Sequence, residues 1–155
     1  MLNHSKFRSF TIKSLKVIVS LTIFSSISLF AQWVQVTNGM GNTGIYSFAA
    51  NVNTIFAGSG VLGNAVYKST NNGTNWTQTS LNNRWIFSLA VNGNNIFAGT
   101  YNYPNNGFGV YKSTDNGTNW TQTSLNNRHV YALAVNGDTI FAGTQPSGVF
   151  ISTNN

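Results

Sequence analysis

Only two side-chain carboxylates exist in this 155-residue chain, Asp115 and Asp138, and it contains neither glutamate nor cysteine. Asp115 sits in KSTDNGTNW, Lys112 to Trp120, and Asp138 in the turn NGD, Asn136 to Asp138. The first stretch recurs 44 residues earlier as KSTNNGTNW, Lys68 to Trp76, with Asn71 at the acidic position. A general acid or base must exchange a proton at working pH, which an amide does not do. A position that takes Asp in one copy and Asn in the other therefore reads as architecture rather than catalysis.

Other chemistries meet the same shortage. Asp115-Asn116-Gly117 has the turn residues of a calcium loop, but an EF-hand needs further oxygen ligands and a distal glutamate. His129 stands alone, opposite Trp85 in the repeat, and His4 lies near the N-terminus; without a second His or Cys nearby, neither predicts a metal site. No serine occupies a GxSxG elbow. The glycines sit in turns rather than in a phosphate loop leading into a helix. The expectation is a chain with no metal, no cofactor and no catalytic residue of its own.

The elements that carry these residues are repeated. Residues 67–84, YKSTNNGTNWTQTSLNNR, match residues 111–128, YKSTDNGTNWTQTSLNNR, at all but one of eighteen positions. WIFSLAVNGNNIFAGT (85–100) matches HVYALAVNGDTIFAGT (129–144), and IYSFAANVNTIFAGS (45–59) is a more diverged copy. Residues 148–155, GVFISTNN, begin the closing segment once more. Alternating β-branched and aromatic residues between turn signals predict four short strands per unit. In the second unit these are 85–91, 95–100, 109–113 and 120–124, with Asn92-Gly93 as a tight hairpin turn. Four antiparallel strands per 40–45 residues is the period of a β-propeller blade, and a β-solenoid, with its shorter turns, is the competing repeat architecture. The fold expected is all-β: an incomplete ring of about three blades, with repeats at about 45–80, 85–124 and 129–155. Residues 33–36 align with the fourth strands at 76–79 and 120–123 and are expected to form an outer strand that completes the last blade. Open blade edges also predict self-association.

The first 31 residues differ in kind. Lys6, Arg8, Lys13 and Lys16 precede the apolar run Val17 to Phe30, which is too short and Ser-rich to span a bilayer comfortably. With the small residue Ala31, this order reads as a signal peptide cut before Gln32; an uncleaved N-terminal anchor has the same order of features. The chain is then expected to be secreted, periplasmic or at the cell surface, without stable membrane insertion after cleavage. The formal charge of +6 comes mostly from this leader: beyond it, Lys68, Arg84, Lys112 and Arg128 face two aspartates, a net charge of +2. No basic stripe marks a nucleic-acid partner. Export without disulfides suits a bacterial protein.

Ser113, Asp115, Gly117 and Trp120 fill the pattern S-x-D-x-G-x-x-W, and Ser69, Asn71, Gly73 and Trp76 fill it with an amide. This resembles the Asp-box, or BNR, repeat, and the chain is similar to the Asp-box propeller superfamily of sialidases, photosystem assembly factors and many secreted bacterial proteins. The resemblance implies that the box is a structural turn between the third and fourth strands, with the Asp or Asn accepting backbone N–H groups and the Trp anchoring the hairpin. Family sialidases use three arginines, a tyrosine nucleophile with a glutamate, and an aspartate. Here the glutamate is missing, and Arg84 and Arg128 are repeat-equivalent rather than a dedicated clamp.

A binding surface remains. The fourth-to-first loops bring Arg84 and Trp85, then Arg128 and His129; the second-to-third loops, 59–65, 100–109 and 144–148, add Tyr101, Tyr103 and Phe108. By strand order both loop sets share one face, opposite the boxes. Rings beside amides and guanidinium groups suit protein or carbohydrate ligands; alternatively these rings only pack the long loop onto its blade. The expected function is a secreted, non-catalytic binding or scaffold module for protein or glycan. The alternative is the N-terminal part of a sialidase-like hydrolase whose catalytic residues lie downstream.

Overall fold

The computed structural model describes residues 33–41, 43–60, 65–105 and 107–153. The expected leader at 1–31 lies outside the described residues, as do most of the 59–65 loop and the Asn154 that continues the third box. Among the described residues, eleven strands form three antiparallel sheets, and no helix is long and apolar enough to cross a membrane. The first sheet is a meander of β1 (Ile45–Ala50), β2 (Ile55–Ser59), β3 (Val66–Ser69) and β4 (Thr77–Gln78). The second repeats it with β5 (Trp85–Asn92), β6 (Asn95–Tyr101), β7 (Val110–Ser113) and β8 (Thr121–Gln122). The third holds β9 (His129–Asn136), β10 (Thr139–Gln145) and β11 (Gly148–Ser152).

Sequence and structure agree on strand order and differ in detail. The fourth strands contribute only two ladder residues each, shorter than the five expected at 120–124. The hairpin after β5 is the pair Gly93-Asn94, because Asn92 still pairs with Asn95. Gly93 takes φ +59° while Asn94 is not left-handed, so glycine alone supplies the special conformation of this turn. Residues 33–37 form no strand, contrary to the outer strand expected at 33–36. The end of this segment and the residues after it dock on the first sheet: Trp76 donates its indole N–H to the Val36 carbonyl at 3.0 Å and its backbone N–H to Asn38 O at 2.8 Å.

Neighbouring sheets stack face to face, as one blade alone cannot bury both of its faces. The first core joins sheets one and two through Phe56, Val66, Leu81, Ile86, Leu89, Ile96 and Ala98, with Tyr111 and Trp120 packed against it. The second joins sheets two and three through Phe97, Val110, Val130, Ile140 and Ala142, with Leu125 packed against it. Burying each large apolar side chain contributes about 1.5–3 kcal/mol. The glycine of the recurring IFAG segment is explained here. A Cβ on Gly58 would stand 2.6 Å from Ile86 Cγ2, and one on Gly99 2.7 Å from Val130 Cγ1. Each lets the fully buried first-strand residue of the next sheet close onto it.

Candidate functional site

The boxes are turns with a two-residue left-handed core. Asn72 and Gly73 take φ +53° and +82°, and Asn116 and Gly117 take +57° and +78°. Ser113 Oγ donates to Asp115 Oδ1 at 2.9 Å and accepts the Gly117 N–H at 2.9 Å. Asp115 Oδ1 also accepts the backbone N–H groups of Asn119 (2.8 Å) and Thr118 (3.1 Å), while Oδ2 accepts Asn119 Nδ2 at 2.7 Å. These donors, the Asn119 backbone N–H first, hold the carboxyl down at a pKa of about 2 although it is exposed. Asn71 repeats the Oδ1 role, accepting from Ser69 Oγ and the Asn75 N–H, both at 2.9 Å. An amide oxygen serves because this pattern needs only an acceptor.

Each box also grips what precedes it. Asn116 Oδ1 accepts from Asn51 Nδ2 at 3.0 Å, and its Nδ2 donates to Thr54 Oγ1 at 3.1 Å. Ser80 Oγ donates to the Thr118 carbonyl at 2.7 Å. The second box is thus a clasp onto the first sheet, a role the single-blade view from sequence missed. Trp76 is buried, whereas Trp120 is only half-buried at the margin of the first core, so the two indoles are unequal anchors.

The opposite face carries the rings. Trp85 stacks on Tyr101 with centroids 5.5 Å apart and planes 10° apart, and Tyr101 meets His129 at 4.5 Å. His129 Nδ1 accepts the Asn102 N–H at 3.3 Å, fixing the ring against the long loop. Arg84 lies 4.1 Å from the centre of Phe108, so this pair is a cation–π cap on the second sheet. Arg128 turns back on its own loop, donating Nη1 to Asn127 O at 2.8 Å. Tyr103 is exposed and takes part in none of these ring contacts. The expected ligand face therefore divides into a Trp85–Tyr101–His129 stack, an Arg84–Phe108 pair, and Tyr103 and Arg128 apart from both.

Three further rings complete this face: Tyr46, Phe87 and Tyr131. In β1, β5 and β9 the ladder skips one residue each time: Ile45 pairs Ser59 and Ser47 pairs Gly58, and likewise around Phe87 and Tyr131. The extra residue of each bulge is the aromatic one, and a bulge re-aims its side chain. Tyr46 contacts Phe87 at 5.1 Å, Phe87 contacts Tyr131 at 5.7 Å, and Tyr101 touches both Phe87 (4.8 Å) and Tyr131 (5.6 Å). One aromatic row thus crosses all three sheets. Burial first, and then Tyr101, raises the Tyr131 phenol above its ordinary value. The usable sequence signal was a ring at the repeat-equivalent position of every first strand, in IYS, IFS and VYA; the bulge that turns it outward has no such signature.

These meandering sheets, stacked face to face through their first strands, are blades of a β-propeller. No protein-family model matches the chain, and no curated protein matches it. Solved structures do. YCF48 bound to D1 peptide superposes with a TM-score of 0.59 at 15% identity, over 76% of this chain and 40% of that one. The GH74 xyloglucanase from Xanthomonas campestris gives 0.61 at 17% identity, over 79% and 24%, and YCF48 from Cyanidioschyzon merolae 0.58 at 14%, over 72% and 34%. The chain spans less than half of each. At these identities the likeness establishes the fold: the described residues form three blades, fewer than the four to eight of a closed ring.

Proposed function

We propose that this chain is a non-catalytic Asp-box propeller segment that acts outside the cytoplasm as a binding module for protein or glycan. The carrying observation is the aromatic row Tyr46–Phe87–Tyr131, extended by Tyr101, Trp85 and His129 on one face. Adjacent rings offer flat apolar faces, with phenol and imidazole groups at their margins, and suit the faces of sugar rings or of aromatic and proline side chains. The non-catalytic reading is supported by Asp115, whose two oxygens are both engaged by its own turn. Similar folds include a peptide-bound protein and a xyloglucanase, which selects the probes.

Titration calorimetry of the full chain against xyloglucan oligosaccharides and against extended aromatic peptides tests the reading. Phe87→Leu and Tyr131→Leu keep apolar volume and remove rings. Each ring pair contributes about 0.5–1.5 kcal/mol beyond area burial, so the double variant should bind roughly tenfold more weakly. Binding that both substitutions leave unchanged, or none to either probe set, overturns the assignment of this face. Turnover of the oligosaccharide by the chain alone would overturn its non-catalytic character.

A further inference from the structure

On the box face, between the first two sheets, lies a pocket of about 540 Å³. Small-ligand sites typically measure about 300–1,000 Å³. The walls are the turn joining β1 to β2 (51–54), the tip of the β5–β6 hairpin at Gly93-Asn94, and the second box at 114–116. Both sheets that build it are four-stranded. The aromatic row crosses the opposite face and shares no residue with it.

Some wall groups are bound to one another and fix the frame. Asn51 Oδ1 accepts the backbone N–H groups of Asn53 (3.2 Å) and Thr54 (2.9 Å), and Asn116 bridges Asn51 and Thr54 from the box. A second set is free. Asn53, Asn94 and Thr114 are exposed, and their side chains hydrogen-bond to no described residue. Each free amide offers two N–H donors and a carbonyl acceptor, and the hydroxyl does both. Asp115 Oδ2 receives a single donor, Asn119 Nδ2, and keeps acceptor capacity. Val52 adds an aliphatic wall where the later turns carry Gly93 and Gly137.

We infer that this pocket is a second binding site, for one neutral pyranose unit of a saccharide. Sugar hydroxyls donate and accept together, which matches amides, a hydroxyl and a carboxylate oxygen around one space. Val52 suits the C–H edge of the ring. Ionic occupants fit worse. A metal ion would meet one carboxylate, already loaded with four donors, and the Lys68 ammonium 3.5 Å from the Asn116 carbonyl. An anion would meet the carboxylate itself. An extended peptide draws affinity from a free strand edge, and these walls are turns, not ladders. The internal bonds hold the frame before a ligand arrives, so binding orders few groups.

A residue-resolved NMR titration of the full chain tests this, with cellobiose, mannobiose and diacetylchitobiose as probes. At least one should move the side-chain amide signals of Asn53 and Asn94 and the backbone signal of Thr114 saturably, with those of Phe87 and Tyr131 unmoved. The readout is local, so it stands whether or not the aromatic row binds anything. Asn53→Ala with Asn94→Ala removes two free amides and should weaken this binding about tenfold. Thr114→Val, a single exposed change that keeps side-chain volume, should weaken it less and serves if the double variant fails to fold. No saturable shift with any of the three probes overturns the proposal, as do shifts confined to the aromatic face or binding that these substitutions leave unchanged. It also falls if the same signals answer to calcium chloride or to an extended aromatic peptide instead of the saccharides.

Discussion

Gly73 and Gly117 occupy the same place in the two boxes and the same left-handed backbone, φ +82° and +78°. Replacing either with alanine costs about 1–2 kcal/mol from that conformation alone. Their surroundings differ. A Cβ on Gly73 finds Val36 Cγ2 at 3.4 Å, an ordinary contact, whereas one on Gly117 meets Phe56 Cε1 at 2.9 Å. Phe56 is fully buried between sheets one and two and cannot retreat without disturbing the core. Overpacking of this kind costs about 1–3 kcal/mol more. Gly117→Ala should therefore destabilise by roughly 2–5 kcal/mol and Gly73→Ala by roughly 1–2. Denaturant unfolding of the full chain, followed by tryptophan fluorescence, measures both midpoints. A double-mutant cycle with Phe56→Leu isolates the contact, and removing the ring edge should return most of the excess. Equal costs for the two glycines, or no coupling between Gly117 and Phe56, would refute the idea that the second box clasps the first sheet.

Asp115→Asn should be tolerated at neutral pH, because Asn71 performs the same acceptor role. Acid should separate the two proteins: the folded pKa of about 2 lies below the ordinary 3.8, so the stabilisation from ionised Asp115 is complete above about pH 4 and is lost as pH falls through 2. Melting curves across that window should show an extra acid-dependent loss in the wild type that the variant lacks. Trp76→Ala should cost about 3–5 kcal/mol and Trp120→Ala clearly less, since the first indole is buried and hydrogen-bonded to Val36 while the second is half-buried; the reverse order in urea midpoints would contradict the unequal anchoring. Spectrophotometric titration should find the Tyr131 phenol ionising above 10, and Tyr101→Phe should lower it only part of the way, because burial is the larger cause.

The sequence by itself determined the repeat, the strand order and the box. These rest on local rules: period-two alternation, glycine where φ must be positive, and a serine, an Asx acceptor and a glycine spaced to close a turn on themselves. Nearly all the hydrogen bonds of Asp115 lie within four residues of it, so eight residues of sequence sufficed to read it as a turn. Trp85, Tyr101 and His129 were legible as one face because strand order alone places them at the same end. What spans sheets was not legible. The identical spacing of Trp76 and Trp120 hid their different burial, which depends on what each blade leans against. Tyr46, Phe87 and Tyr131 read as ordinary alternating strand residues; only the bulges, set by how β1, β5 and β9 register on their partners, turn them into one row. The WVQVT segment looked like a strand because its side chains suit one, yet a strand exists only where a free edge meets it. Propensity is local, whereas a ladder needs its other half, and that half is fixed by tertiary structure.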